Sequence, residues 1–260
     1  MALTIPYSHF TGVLNFINQE QYTDYELAVE SNKHLRVYLK YLKGIRNGSA
    51  SRFKLDLDRF ENDIDKGLYF ESNIPQGYGI GSSGALVAAV YDEYVLEGVK
   101  NRMILTGNEI SNLKEAFSKM ESYFHETSSG IDPLLCYIRH PLLIRNKLQI
   151  ETVSIPREKF GANSAIFLVD SGIYGKTGPL VKMFMERCKN DDFLTEVRNV
   201  FIPSNMKPIW ESGLQRNDFK MKLCGSGGGG FLLGISRDFN LTRKYFQQKG
   251  LELIPVFKND

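Results

Sequence analysis

Four glycines, Gly77, Gly79, Gly81 and Gly84, with Ser82 and Ser83 among them, run straight into Ala85–Tyr94, a stretch that only a helix accommodates. Glycine lets backbone approach a ligand closely, and a helix start offers unpaired N–H groups and the positive end of a dipole. Together they make an anion site, with phosphate the natural occupant. Further on, Glu121 borders the apolar stripe of another helix and Asp132 sits between Gly130-Ile131 and Pro133. A carboxylate at a stripe edge commonly reaches to solvent, and a turn aspartate commonly caps its own backbone. From residue type alone both readings stay open. A second glycine run, Gly225-Ser226-Gly227-Gly228-Gly229-Gly230, follows a short apolar strand.

Other chemistries fit less well. Gly79-Ile-Gly81-Ser-Ser-Gly84 satisfies the spacing of a dinucleotide-binding loop, but the acid expected about 20 residues on is missing. No Gly-Lys-Ser/Thr follows, so the stretch is not a Walker A loop. A bland glycine turn that lets a helix pack tightly remains the plain alternative. Ser129, His125 and Asp132 lack the strand–elbow–helix setting of a serine hydrolase.

The elements that must hold these residues follow from periodicity. Met1–Asn18 alternates as strand, and residues 23–44 read as a helix with Leu35, Tyr38, Leu39 and Leu42 on one face and Gly44 as its stop. Phe53–Leu57 and Gly67–Ser72 are short strands, the second closed by Pro75. The helix after the glycine loop is apolar all round and therefore buried, with Ser82 or Ser83 placed to cap it. Thr106-Gly-Asn-Glu109 is a capping box, opening a helix whose stripe is Ile110, Leu113, Phe117, Met120 and Phe124. The residues around Asp132 have the composition of a tight loop. The pattern restarts near residue 160: a strand at Ala165–Val169, a polar loop, a helix from Leu180 to Cys188, strand–glycine loop–strand over 221–235, a helix over 240–249 and a last strand at 251–257. Two domains are expected, 1–160 carrying the first loop and the carboxylates and 161–260 carrying the second loop, each α+β.

Composition narrows the class. The 260 residues are 42% hydrophobic and 24% charged with a net charge of +2, which argues for a globular protein and against nucleic acid or a membrane surface as partner. Three cysteines far apart (Cys136, Cys188, Cys224) and four scattered histidines give neither a disulfide framework nor a structural zinc site. With no signal segment and no long apolar run, the cytoplasm is the expected address.

Two glycine loops about 145 residues apart, with Glu121-x-x-x-His125 and Ser129-Gly130-Ile131-Asp132 between them, resemble the GHMP small-molecule kinases, and most closely the mevalonate kinases. Pro75-Gln-Gly-Tyr-Gly-Ile-Gly-Ser-Ser-Gly84 stands where that family has P-x-x-x-G-L-G-S-S-A. Lys222-Leu-Cys-Gly-Ser-Gly-Gly-Gly-Gly230 stands where it has K-L-T-G-A-G-G-G-G. Glu121 lies four residues before His125 and eleven before Asp132, the family's spacing for a metal-binding glutamate, a histidine and a catalytic aspartate. The likeness covers most of the chain.

It implies a two-domain α+β fold, ribosomal-S5-like then ferredoxin-like, and ATP-dependent phosphorylation of a small metabolite's hydroxyl. Mevalonate, on the route to isoprenoid precursors, is the acceptor it favours. The implied cofactors are ATP and Mg²⁺. By the same likeness Pro75, Gly77, Gly79, Gly81, Ser82, Ser83 and Gly84 hold the nucleotide, Ser83 and Glu121 the metal, and Asp132 takes the hydroxyl proton. His125, Ser129, Gly130, Lys176, Thr177, Gly225, Ser226, Gly227 and Gly228 shape the acceptor and closing side. The expected partners are the substrate and ATP, with a homodimer also admitted. Three departures accompany the likeness. The family's first motif, a lysine strand, is expected upstream of residue 1, Gly84 replaces the usual alanine, and Pro133 replaces an asparagine common in mevalonate kinases. A decarboxylase of the diphosphomevalonate type, or a nucleotide-binding protein without turnover, are the competing readings.

Overall fold

The computed structural model describes residues 2–4, 11–17, 24–46, 53–75, 78–100, 105–146, 149–154, 161–175, 201–225 and 227–258. Contacts divide the chain into two compact units, one of Met1–Pro6, Phe10–Ile74 and Gly81–Ser154, the other of Tyr7–His9, Pro75–Ile80 and Ile155–Asp260.

In the first unit the elements run β1 (Ala2–Thr4), β2 (Gly12–Phe16), α1 (Tyr25–Arg46), β3 (Lys54–Leu55), α2 (Leu57–Asp65), β4 (Leu68–Ser72), α3 (Ser82–Tyr94), β5 (Val95–Glu97), α4 (Gly107–His125), α5 (Ile131–Ile138), β6 (Leu142–Ile144) and β7 (Ile150–Thr152). The strands pair antiparallel in three small sheets, β1-β6-β7, β2-β4 and β3-β5. The core is mainly helical. Leu35, Tyr38, Leu39 and Leu42 of α1 are buried with Val87, Val90, Tyr91 and Tyr94 of α3 and with Ile110, Leu113, Phe117 and Met120 of α4. The α1 and α4 stripes are the ones periodicity assigns to the buried face. Tyr91 anchors the interior, its ring edge-on to both Phe117 and Tyr137.

Several elements differ from expectation. Helix α1 runs past Gly44 to Arg46, because a glycine costs a helix only about 1 kcal/mol and need not end it. The strand expected over Phe53–Leu57 is only Lys54–Leu55, and residues 57–65 form α2: the Asp56 side chain accepts from Arg59 N–H as an N-cap, and Leu57, Phe60 and Ile64 make a buried stripe. Phe124, at the end of the α4 stripe, is partly exposed.

In the second unit β8 (Ala165–Asp170), α6 (Lys207–Gln215), β9 (Phe219–Leu223), β10 (Phe231–Ser236), α7 (Phe239–Gln247) and β11 (Leu253–Lys258) build an antiparallel sheet of order β11-β8-β10-β9. Strands β8 and β10 are in register from Ala165↔Ser236 to Asp170↔Phe231. Phe167, Phe219, Leu232 and Leu253 of the sheet pack with Ile209 of α6 and with Phe239 and Phe246 of α7 in a separate core. The fold is α+β, and this unit has the ferredoxin-like arrangement that the resemblance implies. The helix expected at 180–188 lies outside the described residues. Among the described residues no helix is long and apolar enough to cross a membrane.

Candidate active site

Helix α3 begins after Gly81, whose φ of 80° is the left-handed conformation that glycine adopts without cost. Neither Ser82 nor Ser83 caps it, contrary to expectation: both lie inside the first turn, and the N-cap makes no side-chain hydrogen bond. A capping serine must stay non-helical, one position before the first turn, and glycine holds that position here. The first amides of α3 are thus left without a capping side chain, and Ser83 is released for other contacts.

Those contacts reach α4. The Ser83 hydroxyl donates to Glu121 Oε1 at 3.1 Å and lies 3.0 Å from His125 Nε2. Glu121 is 3% exposed, so the edge carboxylate points inward rather than to solvent. Its other oxygen, Oε2, accepts from the Ser128 hydroxyl. Burial raises the Glu121 carboxyl above the ordinary glutamate value; the Ser128 hydrogen bond pulls it back, the nearby Asp132 pushes it up again, and Ser83 opposes that. The hydroxyls satisfy a buried carboxylate that would otherwise be costly.

Between α4 and α5 the chain reverses through a strained turn. Glu126 has φ 55° and ψ −51°, and the Thr127 N–H donates to the His125 carbonyl, making Glu126 the centre of a γ-turn of the rare positive-φ kind. The Ser118 hydroxyl holds the returning strand by donating to the Ser128 carbonyl at 2.6 Å. Gly130, φ 72°, then starts α5. A Cβ on it would lie inside van der Waals contact of the Lys114 carbonyl oxygen and 2.7 Å from Ser118 N, so only glycine lets this turn pack on α4.

Asp132 was expected in a tight loop and is found in the first turn of α5. Gly130 starts the helix in one step, and Pro133, lacking an N–H, loses nothing in a first turn. The helix dipole favours an ionised carboxylate there. Surrounding protein raises the Asp132 carboxyl above the ordinary aspartate value and His125 lowers it. The side chain itself keeps an exposed surface. The Asp132 carboxyl is thus within reach of water. Its backbone lies against α3: a Cβ on Gly84 would be 2.8 Å from Pro133 N, 2.9 Å from the Asp132 carbonyl carbon and 3.1 Å from its Cβ. A Cβ on Gly81 would be 3.6 Å from the Asp132 Cβ. The glycine at 84 is therefore a packing requirement of this chain, not a neutral exchange for alanine.

The second unit holds its own glycine cluster. Gly79 (φ 71°) lies where an added Cβ would be 2.7 Å from the Cys224 carbonyl oxygen, and Gly225 (φ 56°) packs reciprocally on the Gly79 Cα. The Gly227 N–H donates to the Cys224 carbonyl at 3.3 Å, the Gly228 N–H to Phe201 at 2.6 Å, and Phe231 N–H to the Tyr78 carbonyl at 3.2 Å. Pro75 is half-buried in this unit.

Ser83, Glu121, His125, Gly130 and Asp132 are thus brought together in one unit, and Gly79, Gly225, Gly227 and Gly228 in the other. Ser129 accepts only from the Ile131 N–H of its own loop among its described hydrogen bonds. Gly77, Lys176, Thr177 and Ser226 lie outside the described residues. Ser128 went unnoticed in the sequence; its position seven residues after a candidate ligand, in a loop that must double back, is the signal that could have found it.

The donor set can be tested against the cofactors that the resemblance implies. Mg²⁺ prefers hard oxygen ligands and takes one or two carboxylates with the rest from water and phosphate. A serine hydroxyl 3.1 Å from a buried carboxylate fits that demand, and no group of three or more His, Cys, Asp or Glu side chains that could hold a metal occurs among the described residues. The uncapped start of α3 suits phosphate.

Residues 41–138 match the family profile described as GHMP kinases N terminal domain. Among solved structures, a mevalonate kinase from Methanococcus jannaschii is 15% identical with a TM-score of 0.52, covering 97% of this chain and 86% of its own. The Lin0012 protein from Listeria innocua is 14% identical with a TM-score of 0.50, over 93% and 80%. A putative sugar kinase from Campylobacter jejuni is 16% identical with a TM-score of 0.44, over 78% and 70%. At these identities the likeness is one of fold. No curated protein matches the sequence.

Proposed function

We propose, from the match of residues 41–138 to the GHMP kinase N-terminal domain, that this chain transfers the γ-phosphoryl group of ATP to a hydroxyl of a small metabolite, with mevalonate the first candidate. The observation that carries the reading is the convergence of the Ser83 hydroxyl, the buried Glu121 carboxylate and the α5 turn bearing Asp132 at the start of α3.

In this reading the amides at the start of α3 receive phosphate, and Ser83 with Glu121 would hold Mg²⁺. When bound, Mg²⁺ neutralises charge on the transferring phosphates. Asp132 accepts the proton as the acceptor oxygen bonds to the γ-phosphorus and the bridging P–O bond breaks, releasing ADP. Helix α5 keeps that base fixed, and positioning of this kind supplies most of what phosphoryl transfer requires. Mevalonate is preferred because the Glu121, His125 and Asp132 spacing matches the mevalonate kinases, and because one of the similar folds is such a kinase.

The test is ADP release with ATP, Mg²⁺ and a panel of mevalonate, phosphomevalonate, homoserine and galactose. ADP with mevalonate alone supports the full reading, and ADP with another member corrects the acceptor. CO₂ alongside ADP from a diphosphorylated acid assigns decarboxylase chemistry instead. No ADP with any member counts against the kinase reading.

A further inference from the structure

Ser128 makes three contacts that no other side chain of the site combines. Its hydroxyl donates to Glu121 Oε2 and accepts from the Gly130 N–H at 3.0 Å, while its carbonyl accepts from Ser118 at 2.6 Å. Gly130 is the N-cap of α5, the helix that carries Asp132. One hydroxyl therefore ties the buried carboxylate of α4 to the start of the neighbouring helix.

The bond also sorts the two oxygens of Glu121. Oε2 is engaged by Ser128, so Oε1 is the one presented to Ser83. A carboxylate with two free rotamers would have to be ordered each time a ligand arrived. Here the order is built in, at the cost of the strained Glu126 turn that brings Ser128 back over α4.

We infer that Ser128 is a positioning residue of this site, fixing the Glu121 carboxylate for a divalent cation and setting its separation from the α5 start. The inference rests on the kinase reading above, since it needs Glu121 to be a metal ligand. Partners that orient a metal ligand commonly change metal affinity 10–100-fold when removed, and Ser128 acts at that level. Loss of the hydroxyl frees the carboxylate to turn and leaves the Gly130 N–H without its acceptor.

The test is Mn²⁺ binding, followed by electron paramagnetic resonance, to the full chain holding a non-hydrolysable ATP analogue. Ser128→Ala is expected to weaken Mn²⁺ binding about 10–100-fold, while affinity for the nucleotide without metal stays at the wild-type value. Ser128→Thr, which keeps the hydroxyl, is expected to restore binding to within a few-fold. Wild-type Mn²⁺ affinity in Ser128→Ala overturns the inference. So does a Ser128→Thr variant that is folded yet as weak as the alanine variant, because bulk and not the hydroxyl would then be at fault. If wild-type protein itself binds nucleotide but no Mn²⁺, the metal assignment of Glu121 falls and this inference with it. Wild-type binding with an unaltered alanine variant sinks the Ser128 role alone.

Discussion

Substituting Gly84 by alanine moves the chain toward the residue usual in the kinases it resembles, and the contacts around α3 say that the change is harmful. The added Cβ would sit 2.8 Å from Pro133 N and 2.9 Å from the Asp132 carbonyl carbon, against 3.4 Å for ordinary contact, a shortfall of about 0.6 Å. Both neighbours are backbone, so no side-chain rotation can absorb it; α5 must shift as a unit. Overpacking of this sort costs about 1–3 kcal/mol. Better helix propensity returns up to about 1 kcal/mol. The net expectation is a loss of about 1–2 kcal/mol, or a fall in Tm on the order of 2–8 °C. Because α5 carries Asp132, the same displacement moves the proposed base. An error of 1 Å can cost about 10²-fold in rate, so roughly a tenfold fall in kcat is expected. Thermal melts and ADP-release kinetics on purified Gly84→Ala check both numbers. A variant that melts at or above wild type and turns over normally would refute the claim that α3 and α5 meet through a glycine-sized gap.

Asp132→Asn is expected to lower kcat by about 10²–10⁴-fold, the usual range for a general base, with ATP affinity preserved by calorimetry; near-wild-type turnover ends the base assignment. Glu121→Gln is expected to lose turnover yet melt no lower than wild type at pH 7. The reason is sign: a carboxyl raised by burial binds its proton more tightly folded than unfolded, so stability is lost as pH rises from the ordinary glutamate value through the raised folded one, and the amide removes that cost. A Tm several degrees below wild type at pH 7 argues against it. In the second unit, Arg216 donates two hydrogen bonds to Asp218, at 2.7 and 2.6 Å, and holds that carboxyl below the ordinary aspartate value. A lowered carboxyl contributes stability that is present above about pH 3.9 and lost as pH falls through the folded value. Urea midpoints of Asp218→Asn should therefore lie below wild type at pH 7, with the gap narrowing as pH falls below the ordinary aspartate value; a pH-independent gap contradicts the pairing.

Much of the fold was legible because burial leaves a periodic trace. The stripe from Ile110 to Met120, its capping box and the α1 face from Leu35 to Leu42 all lie where spacing puts them. Short elements were less so. Helix α2 escaped because its nine residues carry four acids, and only the Asp56 cap and three apolar positions betray it. Helix α5 escaped because Gly-Ile-Asp-Pro has turn composition, and nothing local says that a glycine in the left-handed conformation will start a helix instead of closing a loop. At the site, spacing and resemblance located Glu121 and Asp132. The resemblance also paired Ser83 with Glu121, but Gly81 in place of a serine as the cap of α3, Ser128 behind Glu121, and the reason for Gly84 all depend on which helices meet, and that is information no single segment contains.

The hydrogen bonds at Ser83 also have a direction. A hydroxyl owns one proton, and that proton goes to Glu121 Oε1. With that proton committed, the contact of His125 Nε2 with the serine oxygen is satisfied by the tautomer that carries its ring proton on Nε2. The three groups form a short wire of fixed polarity, histidine to serine to carboxylate, ending on an anion. A cation held by serine and carboxylate would replace only the last link, leaving the contact of the imidazole with the serine oxygen in place.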